Sequence, residues 1–227
     1  MIKDISEVSP IELPCAEGFI HIFKYAIPKE AAEKNFLLLS ENERKRAEAY
    51  KDLADRNRFC VARLFLRGIL ARYVHVEANN ISFEYSPLYN KPLLDKEGIQ
   101  FNLSYRGDWA VLAVADKMIG VDIEKQIKIY DIDQFAKNFF SVTERRWLSN
   151  SAGEKEKQNN FFKLWTLKEA YIKAIGKGFS FPLQDFSIHV NDHRQIGLEL
   201  PSGADDQWQF LELEAPKLYS AAVCYKR

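Results

Sequence analysis

The stretch WAVLAVADKMIGVDIEK, residues 109–125, decides how we interpret the fold, because it holds two strand-like segments and a junction between them. Residues 109–115 and residues 119–123 are runs of apolar and β-branched side chains, which favour strands. Between them, Asp116 and Lys117 interrupt the apolar run. We therefore predict two halves, residues 1–116 and residues 117–227.

The first half is predicted to be a mixture of strands and one long helix. The helix opens at Ser40 with Glu43 three residues later, runs to about Tyr73, and can break near residues 53–55. Its strands are expected near residues 19–27, 81–85, 99–104 and 109–115.

The second half repeats this order of elements. A strand over residues 119–123 precedes helical sequence over residues 131–175, within which the polar residues 149–160 are expected to form an exposed loop. Further strands are expected near residues 186–190, 207–213 and 219–225. The fold class is therefore α+β, with antiparallel sheets and one long helix in each half.

A short sequence motif that occurs twice supports the prediction of two similar halves. The pattern apolar-Ser-x-x-Glu-Arg occurs at residues 39–44 and again at residues 140–145, so Glu43 and Glu144 are 101 residues apart, from 144 minus 43. Capping boxes are common, but the repeated motif together with the repeated element order indicates a duplicated unit.

The composition indicates a folded chain without a global charge preference. The 227 residues are 47% hydrophobic and 28% charged, which suffices for a sizeable core. Lys plus Arg and Asp plus Glu each total 32, so the net charge gives no case for a nucleic-acid or membrane partner. Cys15, Cys60 and Cys224 are expected to be small buried residues. Without an apolar leader or a run of about 18 apolar residues, we expect a cytoplasmic protein.

Three carboxylates are candidate metal ligands. Asp122 and Glu124 are two residues apart on a predicted strand and therefore share one face, as ligands of a hard cation such as Mg²⁺ do, although a solvated strand face would look the same. In the helix NNFFKLWTLKEAYIKAIGKG, Lys168 and Glu169 fall inside an apolar arc, with Lys173 at its edge. Such charges indicate a functional site; the alternative is a snorkelling lysine beside a surface salt bridge.

Two further groups are candidate anion sites. Arg63 lies on the apolar stripe of the first long helix, with Arg58 nearby, and is equally compatible with a phosphate fork and with a buried structural ion pair. Ser104, Tyr105 and Arg106 end a predicted strand before a turn, where hydroxyl, guanidinium and backbone groups can converge on an anion; alone, they are an ordinary hairpin turn.

These fragments together resemble the Sfp-type 4'-phosphopantetheinyl transferases. The matching motifs are Lys91-Pro92, FNLS at 101–104, GVDIE at 120–124, FFSVTE at 139–144 and WTLKEAYIKAIGKG at 165–178, in the family's order and spacing. The upstream Arg58 and Arg63 agree more loosely. The combination of Asp-x-Glu with Trp-x-x-Lys-Glu-x-x-x-Lys is specific for the family.

The resemblance implies two α/β halves related by a pseudo-twofold, with coenzyme A in the cleft between them. The enzyme would transfer 4'-phosphopantetheine to a serine of an apo acyl or peptidyl carrier protein and release adenosine 3',5'-bisphosphate. Asp122, Glu124 and Glu169 would hold Mg²⁺, while Lys168 and Lys173 would contact phosphates. Glu169 is the first candidate for the base and Glu144 the second, with Lys173 also stabilising the leaving phosphate. A duplicated chain is expected to be a monomer.

The chain departs from the family pattern in two places. Ser104-Tyr105-Arg106-Gly107 stands where the family usually reads Ser-His-Ser-Gly, so Tyr105 or Arg106 is expected to replace a histidine at the coenzyme A phosphate. Asn90-Lys91-Pro92 replaces Gly-Lys-Pro. Two other functions stay open at this point: a non-catalytic module that binds carrier proteins, and a Mg²⁺-dependent phosphohydrolase.

Overall fold

The computed structural model describes residues 5–29, 36–85, 92–94, 97–178, 181–191 and 195–227. The chain divides into two compact units, Met1–Asp116 and Lys117–Arg227. Among the described helices, none combines the length and hydropathy that a membrane span needs.

Unit 1 contains an antiparallel four-stranded sheet with the order β1-β2-β6-β5, and a separate pair formed by β3 and β4. One face of the sheet packs on the long helix α2 through Phe23, Leu112, Phe65 and Leu70, all of which are buried. The described elements are β1 (Ile11–Glu12), β2 (Ile20–Ala26), α1 (Glu41–Glu48), α2 (Leu53–Val74), β3 (Glu84–Tyr85), β4 (Pro92–Leu93), β5 (Gln100–Arg106) and β6 (Trp109–Ala115).

The helices of unit 1 begin where the sequence supplies side-chain caps. The Ser40 hydroxyl accepts from the Glu43 backbone N–H, and the Glu43 carboxylate accepts from the Ser40 N–H, so α1 starts with a complete capping box. Asp52 caps α2 by accepting from the Asp55 N–H. The predicted single helix is therefore two helices, and the break at residues 49–52 lies just before the predicted position.

Unit 2 contains two antiparallel three-stranded sheets, with the orders β11-β12-β7 and β10-β9-β8. Its long helix α5 packs against both through a core that includes Leu167, Ala170, Ile188 and Ala222. The described elements are β7 (Ile119–Lys125), α3 (Ile132–Phe139), α4 (Val142–Ser149), α5 (Glu154–Ile175), β8 (Ser187–Val190), β9 (Ile196–Leu200), β10 (Gly203–Ala204), β11 (Trp208–Leu213) and β12 (Tyr219–Lys226).

The helices of the two units match in length and position. Helices α1 and α4 each have eight residues, and α2 and α5 each have 22. Their starting residues are 101 apart in both cases, from 142 minus 41 and 154 minus 53. The predicted α+β class with antiparallel sheets is confirmed, whereas the predicted pseudo-twofold and the coenzyme A cleft stay predictions.

One prediction about a loop is wrong in part. Residues 149–160 are predicted to form an exposed loop, but the connection between α4 and α5 spans residues 150–153, and residues 154–160 form the first two turns of α5. These turns carry polar residues because they precede the buried part of the helix, which begins at Phe161. Polarity indicated exposure correctly but could not distinguish an exposed helix from a loop. The strands β9 and β10 were not predicted at all.

Candidate active site

Strand β7 and helix α5 lie very close together at Gly120. A Cβ atom on Gly120 would lie 2.1 Å from the Ala170 carbonyl oxygen and 2.4 Å from the Ala174 backbone nitrogen. Only glycine fits such a contact. Because side chains two residues apart on a strand share a face, Asp122 also faces the helix at short range and lies beside Glu169 and Lys173.

Asp122 and Lys173 form an ion pair in this contact. The Lys173 Nζ donates to Asp122 Oδ1 at 2.5 Å and to the Val121 carbonyl oxygen at 3.3 Å. The Asp122 side chain is almost fully buried, whereas the Lys173 side chain is 28% exposed. The lysine ammonium therefore reaches the carboxylate from the more open side of the site.

Glu169 is a buried carboxylate in an unfavourable environment. It is 8% exposed, and its Oε1 is buried without a hydrogen-bond partner among the described residues. Burial and, to a smaller extent, the negative charges of Asp122 and Glu124 together raise the pKa of Glu169 to about 7, although the positive charge of Lys173 opposes this shift. The site therefore lacks positive charge at the position of Glu169.

These features fit a cation, because carboxylates brought this close need a counter-ion. Asp122, Glu124 and Glu169 supply the oxygen donors that Mg²⁺ prefers, and the unpartnered Glu169 Oε1 could accept one. As they stand, however, no three acidic, histidine or cysteine side chains in the described part of the chain are arranged to hold a metal ion. Magnesium binding therefore stays a proposal.

Lys168 and Glu144 form a closed pair next to this site. The Lys168 side chain is 0% exposed, and its Nζ donates to both Glu144 oxygens at 2.7 and 2.8 Å and to the Phe186 carbonyl oxygen at 2.7 Å. Burial lowers the pKa of Lys168 to about 8, although Glu144 opposes this shift. All three ammonium hydrogens have acceptors, so Lys168 has none left for a phosphate in this conformation.

Glu144 is equally occupied. Its Oε1 accepts from the Ile188 N–H and its Oε2 from the Ser141 N–H, each at 2.8 Å, in addition to Lys168. The side chain is 0% exposed. This arrangement fixes α4, α5 and β8 to one another and leaves no open oxygen for a substrate proton. This geometry therefore does not favour the predicted contact of Lys168 with a phosphate. It also does not favour the predicted role of Glu144 as a base.

Arg63 in unit 1 forms the buried ion pair that was one of its two alternatives. Its Nε donates to Glu43 Oε1 at 2.6 Å, and its NH2 group donates to the Tyr85 hydroxyl at 3.3 Å. Arg67 donates to the other oxygen of Glu43 at 2.8 Å. Arg63 also lines a cavity of about 520 Å³ together with Arg46 and Tyr85, so an anion role is compatible with the pair.

Tyr105 is held inside unit 1. It is hydrogen-bonded to Tyr50, and burial, followed by the contact with Tyr50, raises the pKa of the Tyr105 hydroxyl. Arg46 and Arg63 are close enough to oppose this shift by their positive charge. The structure thus places Tyr105 near two positive charges, those of Arg46 and Arg63, which is a suitable environment for a phosphate.

The other predicted residues of unit 1 are more dispersed. Arg58 bonds Asp55 one turn earlier on α2, Ser104 is buried in β5, and Arg106 is exposed at the end of β5. Pro92 pairs with Tyr85 between β4 and β3, whereas Lys91 lies outside the described residues.

The sequence did not single out several residues that matter here. Gly120 was part of a recognised motif, but its close contact with α5 depends on tertiary packing. The sequence also gives no signal for Arg46, Tyr50 and Tyr85. An arginine and two tyrosines in polar segments of the sequence form no pattern that distinguishes them from surface residues.

Comparisons with known proteins agree with the sequence motifs. Residues 118–224 match the model of the 4'-phosphopantetheinyl transferase superfamily, and residues 28–117 match that of the 4'-phosphopantetheinyl transferase N-terminal region. A 4'-phosphopantetheinyl transferase of Bacillus subtilis is 34% identical over 87% of this chain and 87% of its own length. The transferase Sfp of Bacillus subtilis strain 168 is 31% identical, again over 87% of each chain.

The transferase HetI of a Nostoc species is 31% identical over 94% of this chain and 90% of its own. The resemblance seen in the motifs is thereby confirmed over nearly the whole length. The chain belongs to the 4'-phosphopantetheinyl transferase superfamily and is a phosphopantetheinyl transferase of the Sfp type.

Proposed function

We propose that the chain transfers the 4'-phosphopantetheine group of coenzyme A to a serine hydroxyl of an apo acyl or peptidyl carrier protein in a Mg²⁺-dependent reaction. The observation that carries this proposal is the buried carboxylate of Glu169, which lies beside Asp122 and Lys173 and whose Oε1 has no hydrogen-bond partner among the described residues. The family to which the chain belongs supports the substrate class.

Asp122, Glu124 and Glu169 would hold the metal ion. When bound there, Mg²⁺ would supply charge neutralisation and polarisation for a pyrophosphate. Lys173 now pairs with Asp122, and its partly exposed side chain leaves the ammonium able to serve an incoming phosphate. The chain would thus exchange an internal ion pair for contacts with the substrate.

The transfer itself needs a base and a stabilised leaving group. The serine oxygen forms a bond to the phosphorus that carries pantetheine, and the bond from that phosphorus to the bridging oxygen breaks. The electron pair leaves with adenosine 3',5'-bisphosphate, whose new charge Lys173 stabilises. The serine proton passes to Glu169, which is the first candidate for the base.

Lys168 and Glu144 are assigned positioning roles instead of direct ones. Their pair holds α5 against α4 and β8, and Lys168 immediately precedes Glu169 on the helix. In unit 1, Arg63 and Tyr105 are proposed to face the coenzyme A phosphates, with lesser contributions from Arg58, Lys91, Pro92, Ser104 and Arg106. The monomeric state and the cytoplasmic location stay predictions.

The test is to incubate the protein with coenzyme A, Mg²⁺ and a panel of apo carrier proteins and then to weigh the carriers by mass spectrometry. We expect one or more carriers to gain the mass of one 4'-phosphopantetheine group, and Asp122→Ala to abolish the gain. No gain on any carrier would contradict the proposed transfer, and gain that persists in Asp122→Ala would contradict the metal site.

Two controls separate the alternative functions. A non-catalytic carrier-binding module would show no metal-dependent binding of coenzyme A in calorimetry. A phosphohydrolase would release phosphate without an acceptor protein, which a phosphate assay with carrier omitted detects. We expect metal-dependent binding and no phosphate release.

A further inference from the structure

Unit 2 contains a cavity of about 330 Å³ that the proposed mechanism does not use. It lies among the end of β7, strands β11 and β12, and the N-terminal half of α5. We call it the amide pocket, because three of its six lining side chains are carboxamides. The lining residues are Gln126, Asn159, Asn160, Lys163, Glu212 and Ser220.

The amide pocket continues the row of carboxylates along β7. Ser220 pairs with Glu124 across β12 and β7, so their side chains share a face of the sheet. The Gln126 Nε2 donates to the Ser220 Oγ at 2.8 Å, which places the Gln126 side chain on that same face. Asp122, Glu124 and Gln126 therefore follow one another on the side of β7 that faces α5.

Helix α5 runs antiparallel to this row. Ala170 and Ala174 contact Gly120, Lys173 pairs with Asp122, and Asn159 and Lys163 reach the level of Gln126. Four residues of strand separate Asp122 from Gln126, roughly 13 Å. A ligand whose phosphates lie at the carboxylates and whose chain follows this row of side chains towards Gln126 would enter the amide pocket.

The chemistry of the pocket selects one end of coenzyme A. Among the described residues that line the pocket, Lys163 is the one cation, and it bonds Glu212 at 2.5 Å, so this lining is close to neutral and does not suit the 3'-phosphate. None of these described lining residues is an aromatic side chain on which adenine could stack. Carboxamides offer both donors and acceptors, which match the two secondary amides of a pantetheine arm.

We infer that the amide pocket binds the pantetheine arm of coenzyme A, with Gln126 and Asn159 hydrogen-bonding its amide groups. This inference rests on the proposed function. A volume at the lower end of the range for ligand pockets suits a slender chain rather than a nucleotide. Binding there would direct the arm away from the reacting phosphorus. The path along which the serine hydroxyl approaches that phosphorus would then stay open.

Two ligands give the test. Coenzyme A contains the pantetheine arm, whereas adenosine 3',5'-bisphosphate lacks both the arm and the phosphate that joins the arm to the nucleotide. Calorimetry in Mg²⁺ compares their affinities for the wild type, Asn159→Ala, and the double variant Gln126→Ala/Asn159→Ala. We expect the double variant to bind coenzyme A about three- to tenfold more weakly and the bisphosphate unchanged, because one or two hydrogen bonds are lost.

The exposed Asn138 on α3 supplies a matched control, and Asn138→Ala should bind both ligands as the wild type does. Asn159 is itself exposed, so its replacement should not affect folding. Unchanged coenzyme A binding in the double variant would overturn the inference, and so would an equal loss for both ligands in Asn159→Ala. If the wild type bound no coenzyme A, the proposed function would fail together with it.

Discussion

The two units share a scaffold but differ in what they place on it. In each unit, the glutamate of a capping box on the short helix bonds a buried cation on the 22-residue helix: Glu43 with Arg67 in unit 1, and Glu144 with Lys168 in unit 2. The two glutamates are 101 residues apart, from 144 minus 43, and so are the two cations, from 168 minus 67. An ion pair that is present in both units stabilises the fold that they share. For this reason we assign Lys168 and Glu144 the role of positioning α5.

The next position on the long helix shows the difference. Unit 2 carries Glu169, whereas unit 1 has Gly68, where a Cβ would lie 2.6 Å from Ile5 Cγ2. One turn later, Lys173 corresponds to Arg72, which donates to the Val8 carbonyl oxygen at 2.7 Å. Unit 1 thus uses these positions to pack its own N-terminal segment, and unit 2 uses them for the candidate site.

The largest effect on activity is expected from removing the negative charge of Glu169 while the fold of both units stays intact. Glu169→Gln keeps the volume and removes the charge, and we expect it to lower kcat for carrier modification about 10²- to 10⁴-fold. Mass spectrometry of the carrier over time gives the rate, and Glu156→Gln, on the exposed first turn of α5, is the control. A kcat within twofold of the wild type would contradict the assignment of Glu169.

The next largest effect should come from breaking the shared pair in each unit. Lys168→Met leaves Glu144 buried with only backbone donors, and we expect a loss of about 3–5 kcal/mol in the free energy of unfolding. Arg67→Met should cost less, about 2–3 kcal/mol, because Glu43 keeps its bond to Arg63. Urea unfolding of the full chain measures both.

The exposed pair of Lys45 with Glu41 provides the control for these substitutions, and Lys45→Met should change stability by less than about 1 kcal/mol. Adding Glu144→Gln to Lys168→Met should recover part of the loss, since no buried charge remains. If Lys168→Met instead raised the KM for coenzyme A without loss of stability, a phosphate role for Lys168 would be restored.

Glu169 should also make the stability of unit 2 depend on pH in the absence of metal. Its folded pKa of about 7 lies above the ordinary 4.5, so its contribution to stability is complete below pH 4.5 and is lost as the pH rises through 7. Glu169→Gln has no such loss. In EDTA at pH 8 we expect the variant to be more stable by about 1–3 kcal/mol, and the difference to vanish near pH 4.5.

Thermal unfolding at a series of pH values checks this prediction. Added Mg²⁺ should stabilise the wild type more than the variant, because the variant lacks one of the three carboxylates proposed to hold the ion. Equal stability of the two proteins at pH 8 in EDTA would show that Glu169 is not strained by its burial.

The sequence predicted the candidate site better than its surroundings. Strand alternation placed Asp122 and Glu124 on one face, and helical periodicity placed Lys168 and Glu169 inside an apolar arc with Lys173 at its edge, since both patterns depend only on local geometry. The partner of Lys168 lies 24 residues earlier, on another helix, and only tertiary packing brings it there. A charge on an apolar arc therefore signals that a partner exists without saying which one.

The fold shows the same limit. The two capping boxes fixed the starts of α1 and α4, because Ser40 and Ser141 satisfy backbone donors of their own helix. Nothing local marked the close approach of β7 to α5 at Gly120 or the contact of Tyr105 with Tyr50, since both join distant segments.

The smallest expected effect tests whether unit 1 contributes to substrate binding at all. Tyr105→Phe removes a hydroxyl near Arg46 and Arg63, and together with Arg106→Ala we expect it to raise the KM for coenzyme A about three- to tenfold with kcat unchanged. Tyr50→Phe breaks the same hydrogen bond but leaves the Tyr105 hydroxyl in place, so it should not raise KM. If the double variant kept the wild-type KM, Tyr105 and Arg106 would not replace the missing histidine, and Tyr105 would belong with the shared scaffold.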